Sequence, residues 1–132
     1  MWNSVGTAPG ADEVEVAVMG PGHGEAVVIH LGNGRWMVVD SCVDLEDANR
    51  RPAPLLYLSA LGVNLNEAVE LIVASHWDDD HTQGLGVLVD ACPKALFSCP
   101  SSLTEREFGK YVERLSTGAG TTQGANVSEF RK

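Results

Sequence analysis

Two β-branched runs separated by Gly32-Asn33-Gly34 limit what the first third of this chain can become. Ala26-Val27-Val28-Ile29-His30-Leu31 stands before the glycines and Trp36-Met37-Val38-Val39 after them. Valine and isoleucine suit a pleated, half-buried surface. Glycine and asparagine accept the positive φ of a tight hairpin. The pattern predicts an antiparallel pair whose second strand ends at Asp40. Upstream, Glu13-Val14-Glu15-Val16-Ala17-Val18-Met19 alternates polar and apolar, the period of a half-buried strand. Gly20-Pro21-Gly22-His23-Gly24 is the turn between them.

Further along, helix and strand signals alternate. Pro52 to Gly62 reads as a helix, with proline in its first turn, an apolar face of Leu55, Leu56, Leu58 and Leu61, and a terminal glycine. Asn66-Glu67-Ala68 continues as a short helical turn. Leu71 to Ser75 is a continuous apolar run, as a buried strand requires. Gln83 to Ala91 reads as a helix despite Gly84 and Gly86, and Ala95 to Cys99 as a strand. Ser102 to Leu115 reads as a helix capped by Ser101 or Ser102, with Leu103, Phe108, Tyr111, Val112 and Leu115 as its apolar stripe. Residues 116–126 are rich in Gly and Thr and read as a loop, and Val127 to Lys132 as the opening of a truncated helix. The expected fold class is therefore α/β, layered, on at least one sheet. Its expected organisation is a flexible lead-in over 1–12, one unit over 13–115, and a tail over 116–132.

Composition narrows the partners. With 18 acidic and 9 basic residues the net charge is −9, which repels a phosphate backbone. Direct nucleic-acid binding would have to run through a metal or a local basic patch, and Arg50-Arg51 is too small a patch. Cys42, Cys92 and Cys99 form no C-x-x-C pair, so neither a disulfide framework nor a thiolate zinc site is indicated. Met1-Trp2-Asn3-Ser4 lacks the marks of a signal peptide, and no apolar run approaches the ~18 residues of a membrane span. The expectation is a reduced, cytoplasmic protein without a membrane role.

The chemistry concentrates in Ser75-His76-Trp77-Asp78-Asp79-Asp80-His81. Such a stretch can be a solvated turn whose acid caps the next helix. Its position favours more than that. It follows a buried strand and precedes a helix, at the strand end where α/β sheets place ligands. Residues two apart in extended chain point the same way, so His76 and Asp78 can converge. Asp80 and His81 can face a second point nearby. Imidazole with carboxylate suits zinc, manganese or iron. Two such ions would form a hydrolytic centre.

This motif resembles the H-x-H-x-D-H signature of the metallo-β-lactamase-fold hydrolases. The resemblance extends to Gly20-Pro21-Gly22-His23-Gly24-Glu25-Ala26, the glycine hairpin, and Met37-Val38-Val39-Asp40-Ser41-Cys42, which looks like that superfamily's opening hairpin and its aspartate-ended strand. It covers about residues 13–132 and implies the N-terminal half of an αββα sandwich. It implies that His76, Asp78, Asp80 and His81 are metal ligands, His76 for a first ion and Asp80 and His81 for a second. It further implies that Asp80 orients the attacking water and that Asp40 orients the ligand loop. His23, on its glycine-flanked loop, would lie beside the site. His30 reads as a structural histidine, and Trp36 and Trp77 as packing residues.

Two departures from the family pattern matter. Asp78 stands where the family usually has a histidine. An H-x-D-x-D-H variant is similar to the hydrolase domain of bacterial DNA-uptake channel proteins. The harder ligand raises manganese or magnesium beside zinc. Secondly, no histidine follows His81, so the family's downstream ligands have no counterpart here. The implied function is a metal-dependent hydrolase acting on a phosphodiester or another ester, holding up to two divalent ions when complete, zinc foremost. As a truncated chain it would be weak or inactive alone. The competing expectation is a catalytically inactive module that retains the fold and works by self-association or by pairing with a missing C-terminal half.

Overall fold

The computed structural model describes residues 5–20 and 22–101. The expected helix over 102–115, the loop over 116–126 and the helix opening at 127 lie outside the described residues. Five strands form one mixed sheet in chain order: β1 (Glu15–Met19), β2 (Ala26–His30), β3 (Trp36–Val39), β4 (Val69–Val73) and β5 (Leu96–Ser98). The first three are antiparallel neighbours; β3, β4 and β5 run parallel. Helices α1 (Ala53–Ala60) and α2 (Leu65–Ala68) connect β3 to β4, and α3 (Asp79–Thr82) and α4 (Leu85–Ala91) connect β4 to β5.

The hairpin between β2 and β3 forms where the glycines fall. Asn33 and Gly34 both take positive φ, 54° and 71°, and Arg35 N–H donates to Gly32 C=O at 3.1 Å. His30 then locks this corner. It is buried, its ring lies tilted against Trp36 with centroids 4.7 Å apart, and Gly34 N–H donates to its Nε2 at 3.1 Å. Nε2 is thus the lone-pair nitrogen, and Nδ1–H donates to Glu13 C=O at 2.9 Å.

Several strands are shorter at their ends than the sequence reading, and two boundaries differ for a clear physical reason. β4 opens at Val69 rather than Leu71, because Val69 is β-branched, buried and paired with Trp36 at a register shift in the ladder. The helix expected over 83–91 opens later, at Leu85. Gly84 has φ 77°, and this left-handed residue separates α3 from α4. A side chain at Gly84 would press on Pro52 and Val43, so the break also packs the α4 start against the segment leading into α1.

One face of the sheet carries the core. Val28, Val38 and Ile72 point into a cluster with Leu58 of α1 and Leu85 and Leu88 of α4. The alternate residues, among them Val16, Val18, Ile29, Met37 and Leu71, line the opposite face. Val16 and Val18 on edge strand β1 are exposed, as is Leu96 on edge strand β5. The structure is thus a mixed sheet layered with helices, in keeping with the α/β expectation, and among the described residues the helices cover one side of it.

Cys42 and Cys92 are both in this core. Burial pushes each thiol up from 9.0 to about 11, with the charges of Asp44 and Glu25 adding to the effect at Cys42. Between these two values the unfolded chain loses thiol protons that the folded chain keeps, so stability must fall as pH rises through the window. Urea denaturation at pH 7.5, 9 and 10.5 should show a falling midpoint above pH 9, and Cys92→Ala should flatten that slope.

Candidate metal centre

The site grows from the parallel pairing of β3 and β4. Val39 lies beside Val73, so the residues after each strand emerge together at one edge of the sheet. Asp40 follows β3 and Ser75-His76 follow β4. Asp40 N–H still donates to Val73 C=O, at 2.7 Å. The backbone of Asp40 then turns into the left-handed region at φ 62°, which aspartate tolerates better than most side-chain-bearing residues. That turn aims its carboxylate across the end of β4. Oδ1 accepts Ser75 N–H at 2.7 Å, and Oδ2 accepts Ser75 Oγ–H at 2.6 Å. Oδ2 also accepts His81 Nδ1–H at 3.0 Å.

The turn α3, which carries Asp80 and His81, is strapped down through its backbone. Ser41 N–H donates to His81 C=O at 2.8 Å, and Ser41 Oγ–H to Gln83 C=O at 2.9 Å. Thr82, fully buried, returns its hydroxyl to Asp78 C=O at 3.0 Å. From the other side Glu25 N–H donates to Asp80 C=O at 3.2 Å. Gly24 lies against the same carbonyl: with φ 93°, a Cβ there would collide with the Asp80 backbone. The glycine turn of residues 22–24 is therefore a buttress under the loop.

Four side chains meet in front of this scaffold. The rings of His76 and His81 lie 3.9 Å apart. His76 Nε2 is 3.5 Å from Asp78 Oδ2, and His81 Nε2 is 3.5 Å from Asp80 Oδ2. Asp40, His76 and His81 also offer ligand atoms that all lie within 4.8 Å of one another. Exposure grades outward, from Asp40 at 8 % of its side chain through His81 at 13 % to His76 at 45 % and Asp78 at 75 %. Three carboxylates around two imidazoles form a set dominated by acceptors, and that donor chemistry fits a divalent cation. Asp40, His76 and His81 could hold it, and Asp78 and Asp80 stand close enough to the two rings to join them. Asp40 already accepts three hydrogen bonds, from Ser75 N–H, Ser75 Oγ–H and His81 Nδ1–H.

His23 is exposed on the buttress loop and is not one of the clustered donors. Trp77 packs against the core, as its size suggests. Asp90 is exposed near the end of α4. Sequence reasoning passed over Ser41 and Ser75. Each is a small residue directly beside a singled-out one, and only the strand register shows what it reaches.

Residues 19–120 match the family model for the metallo-beta-lactamase superfamily, and the chain belongs to that family. That superfamily's fold is one that binds divalent metals, typically zinc. Among solved structures, the chain is similar to MEM-A1, a subclass B3 metallo-beta-lactamase from a soil metagenome library, at 22 % identity and a TM-score of 0.46. It is also similar to the metallo-beta-lactamase SMB-1 bound to 2-mercaptoethanesulfonate, at 19 % identity and a TM-score of 0.47. Each likeness covers 74 % of this chain and 34 % of the other, so the chain spans about a third of the length of these solved proteins. No curated protein matches it. Among the described residues no helix is long and apolar enough to cross a membrane.

Replacing Gly24 tests the buttress. Gly24→Ala must push against the Asp80 carbonyl and strain a left-handed residue, so thermal or urea denaturation should show a loss of about 1–3 kcal/mol. The Glu25 and Asp80 amide signals should shift with it. A silent substitution would mean that the loop rests on α3 without supporting it.

Proposed function

We propose that this chain carries part of the metal-binding centre of a hydrolase that uses metal-activated water. The observation that supports this most is the meeting of His76, His81, Asp78 and Asp80 in front of a buried carboxylate. A bound divalent ion supplies Lewis acidity and makes a water molecule acidic enough to serve as nucleophile. The chain's own residues do the rest. His76 and His81 present ring nitrogens, Asp78 and Asp80 neutralise the ion's charge, and Asp80 orients the attacking water. Asp40 keeps His81 from rotating.

Zinc is the metal proposed first. Asp78 in place of a histidine hardens the donor set, which widens the choice to manganese. The proposed substrate is a phosphodiester or another ester. The exposure of His76 and Asp78 leaves room for it at the sheet edge. The chain's own charge of −9 disfavours long nucleic acid as a direct partner.

Elemental analysis and titration with zinc and manganese test the reading. The expected result is at least one equivalent bound, lost in the His76→Ala/His81→Ala double variant. Asp40→Asn should weaken binding by about 10- to 100-fold, as removal of a group that orients a ligand does. A wild-type chain that binds neither ion removes the hydrolase reading.

A second reading concerns association. Val14, Val16 and Val18 are all exposed on or beside edge strand β1, and a long apolar edge of this kind invites another strand. We propose that copies of the chain pair through this edge and the adjoining sheet face. Light scattering across a concentration series should show a dimer, converted to monomer by Val16→Lys/Val18→Lys. A wild type that stays monomeric throughout sinks this idea.

A further inference from the structure

We infer that the Ser75 hydroxyl relays the hold of Asp40 to His76, and that Ser75 is therefore a positioning residue for the centre. The argument is one of hydrogen counting. Ser75 Oγ lies 2.6 Å from Asp40 Oδ2 and 2.7 Å from His76 Nδ1. A hydroxyl has a single proton to donate, and a carboxylate can only accept. The Oγ–H therefore goes to Asp40, leaving Oγ only lone pairs for His76. The contact at 2.7 Å is then a hydrogen bond only if His76 Nδ1 carries a proton and donates it. In a neutral ring this leaves Nε2 as the lone-pair nitrogen, and Nε2 is the atom that lies toward Asp78 Oδ2.

His81 reaches the same state without an intermediary. Its Nδ1–H goes directly to Asp40 Oδ2 at 3.0 Å, so its Nε2 is the free nitrogen and lies toward Asp80. One buried carboxylate thus sets both tautomers, His81 directly and His76 through Ser75. His76 needs the help more. Its side chain is 45 % exposed against 13 % for His81, so neighbouring atoms restrict its ring less. The backbone contributes as well: Ser75 N–H is bonded to Asp40 Oδ1 at 2.7 Å, which fixes the residue from which the hydroxyl projects.

The inference deepens the proposed metal reading and rests on it for the affinity readout alone. Nitrogen-15 spectra of the histidine rings, taken on the metal-free chain at about pH 8, report tautomers directly. In the wild type His76 should appear protonated at Nδ1 and bare at Nε2. Ser75→Ala should release it to the mixture of a solvated ring while His81 keeps the wild-type pattern. Zinc affinity should fall by about tenfold or more. Ser75→Thr, which keeps the hydroxyl, should restore both readings. A wild-type His76 protonated at Nε2 overturns the relay without recourse to any variant. So does a His76 signal unchanged in Ser75→Ala. If the wild type binds no zinc while its His76 tautomer still answers to the hydroxyl, the relay stands and the metal reading falls.

Discussion

The carboxylate of Asp40 is the point on which the rest of the site depends. It is placed by strand geometry before any chemistry enters. β3 and β4 run parallel, so their C-terminal ends open at the same edge, and the crevice outside those ends is where side chains from separate segments can meet. The left-handed φ of Asp40 turns its side chain across that crevice. Its oxygens take up the backbone and hydroxyl of Ser75 and the ring of His81. These partners come from the end of β4 and from α3, so a single buried group fixes the distance between two separate segments. A buried carboxylate without partners would be strongly destabilising, and three donors are what makes its burial tolerable.

The loop that carries the donors is held by its backbone more than by its side chains. Ser41, Glu25 and Thr82 satisfy carbonyls along 78–83, and Gly24 leaves the space for the loop to approach. This leaves Nε2 of His76 and His81 and the carboxylates of Asp78 and Asp80 turned toward one another in front of the loop. A loop built this way can vary its outward side chains without losing its support. Asp78 in place of the family's usual histidine is an example: it is 75 % exposed, and its carbonyl, not its side chain, receives the Thr82 hydroxyl.

The strands were legible in the sequence because two signals agreed at each one. Around residues 26–39, β-branched runs met a turn composition that admits positive φ, and the hairpin formed there. The closeness of His76, Asp78, Asp80 and His81 was legible too, since all fall within six residues and a turn that short cannot scatter them. Gly84 was harder. Periodicity carried the helix through it, whereas its contact with Pro52 comes from a segment some thirty residues away. Ser75 and Ser41 were illegible for a related reason. A serine beside an aspartate has no distinctive pattern, and its role depends on which strand end lies next to it. Local propensity says that an element exists; only the register says what its ends touch.

The same arrangement explains why a fold would tolerate the electrostatic cost of its own loop. Asp40, Asp78 and Asp80 converge on two imidazoles in a chain that already carries a net charge of −9. Like charges this close oppose folding. Stability alone would favour replacing these residues. Sites at which local preference and fold disagree are where function is to be sought. A cation bound as proposed would resolve the conflict, since it would attract the carboxylates and the lone pairs at Nε2 of both rings. Any ion bound there would tie the ends of β3 and β4 to α3, so its binding energy would add to the folding energy of the same three segments.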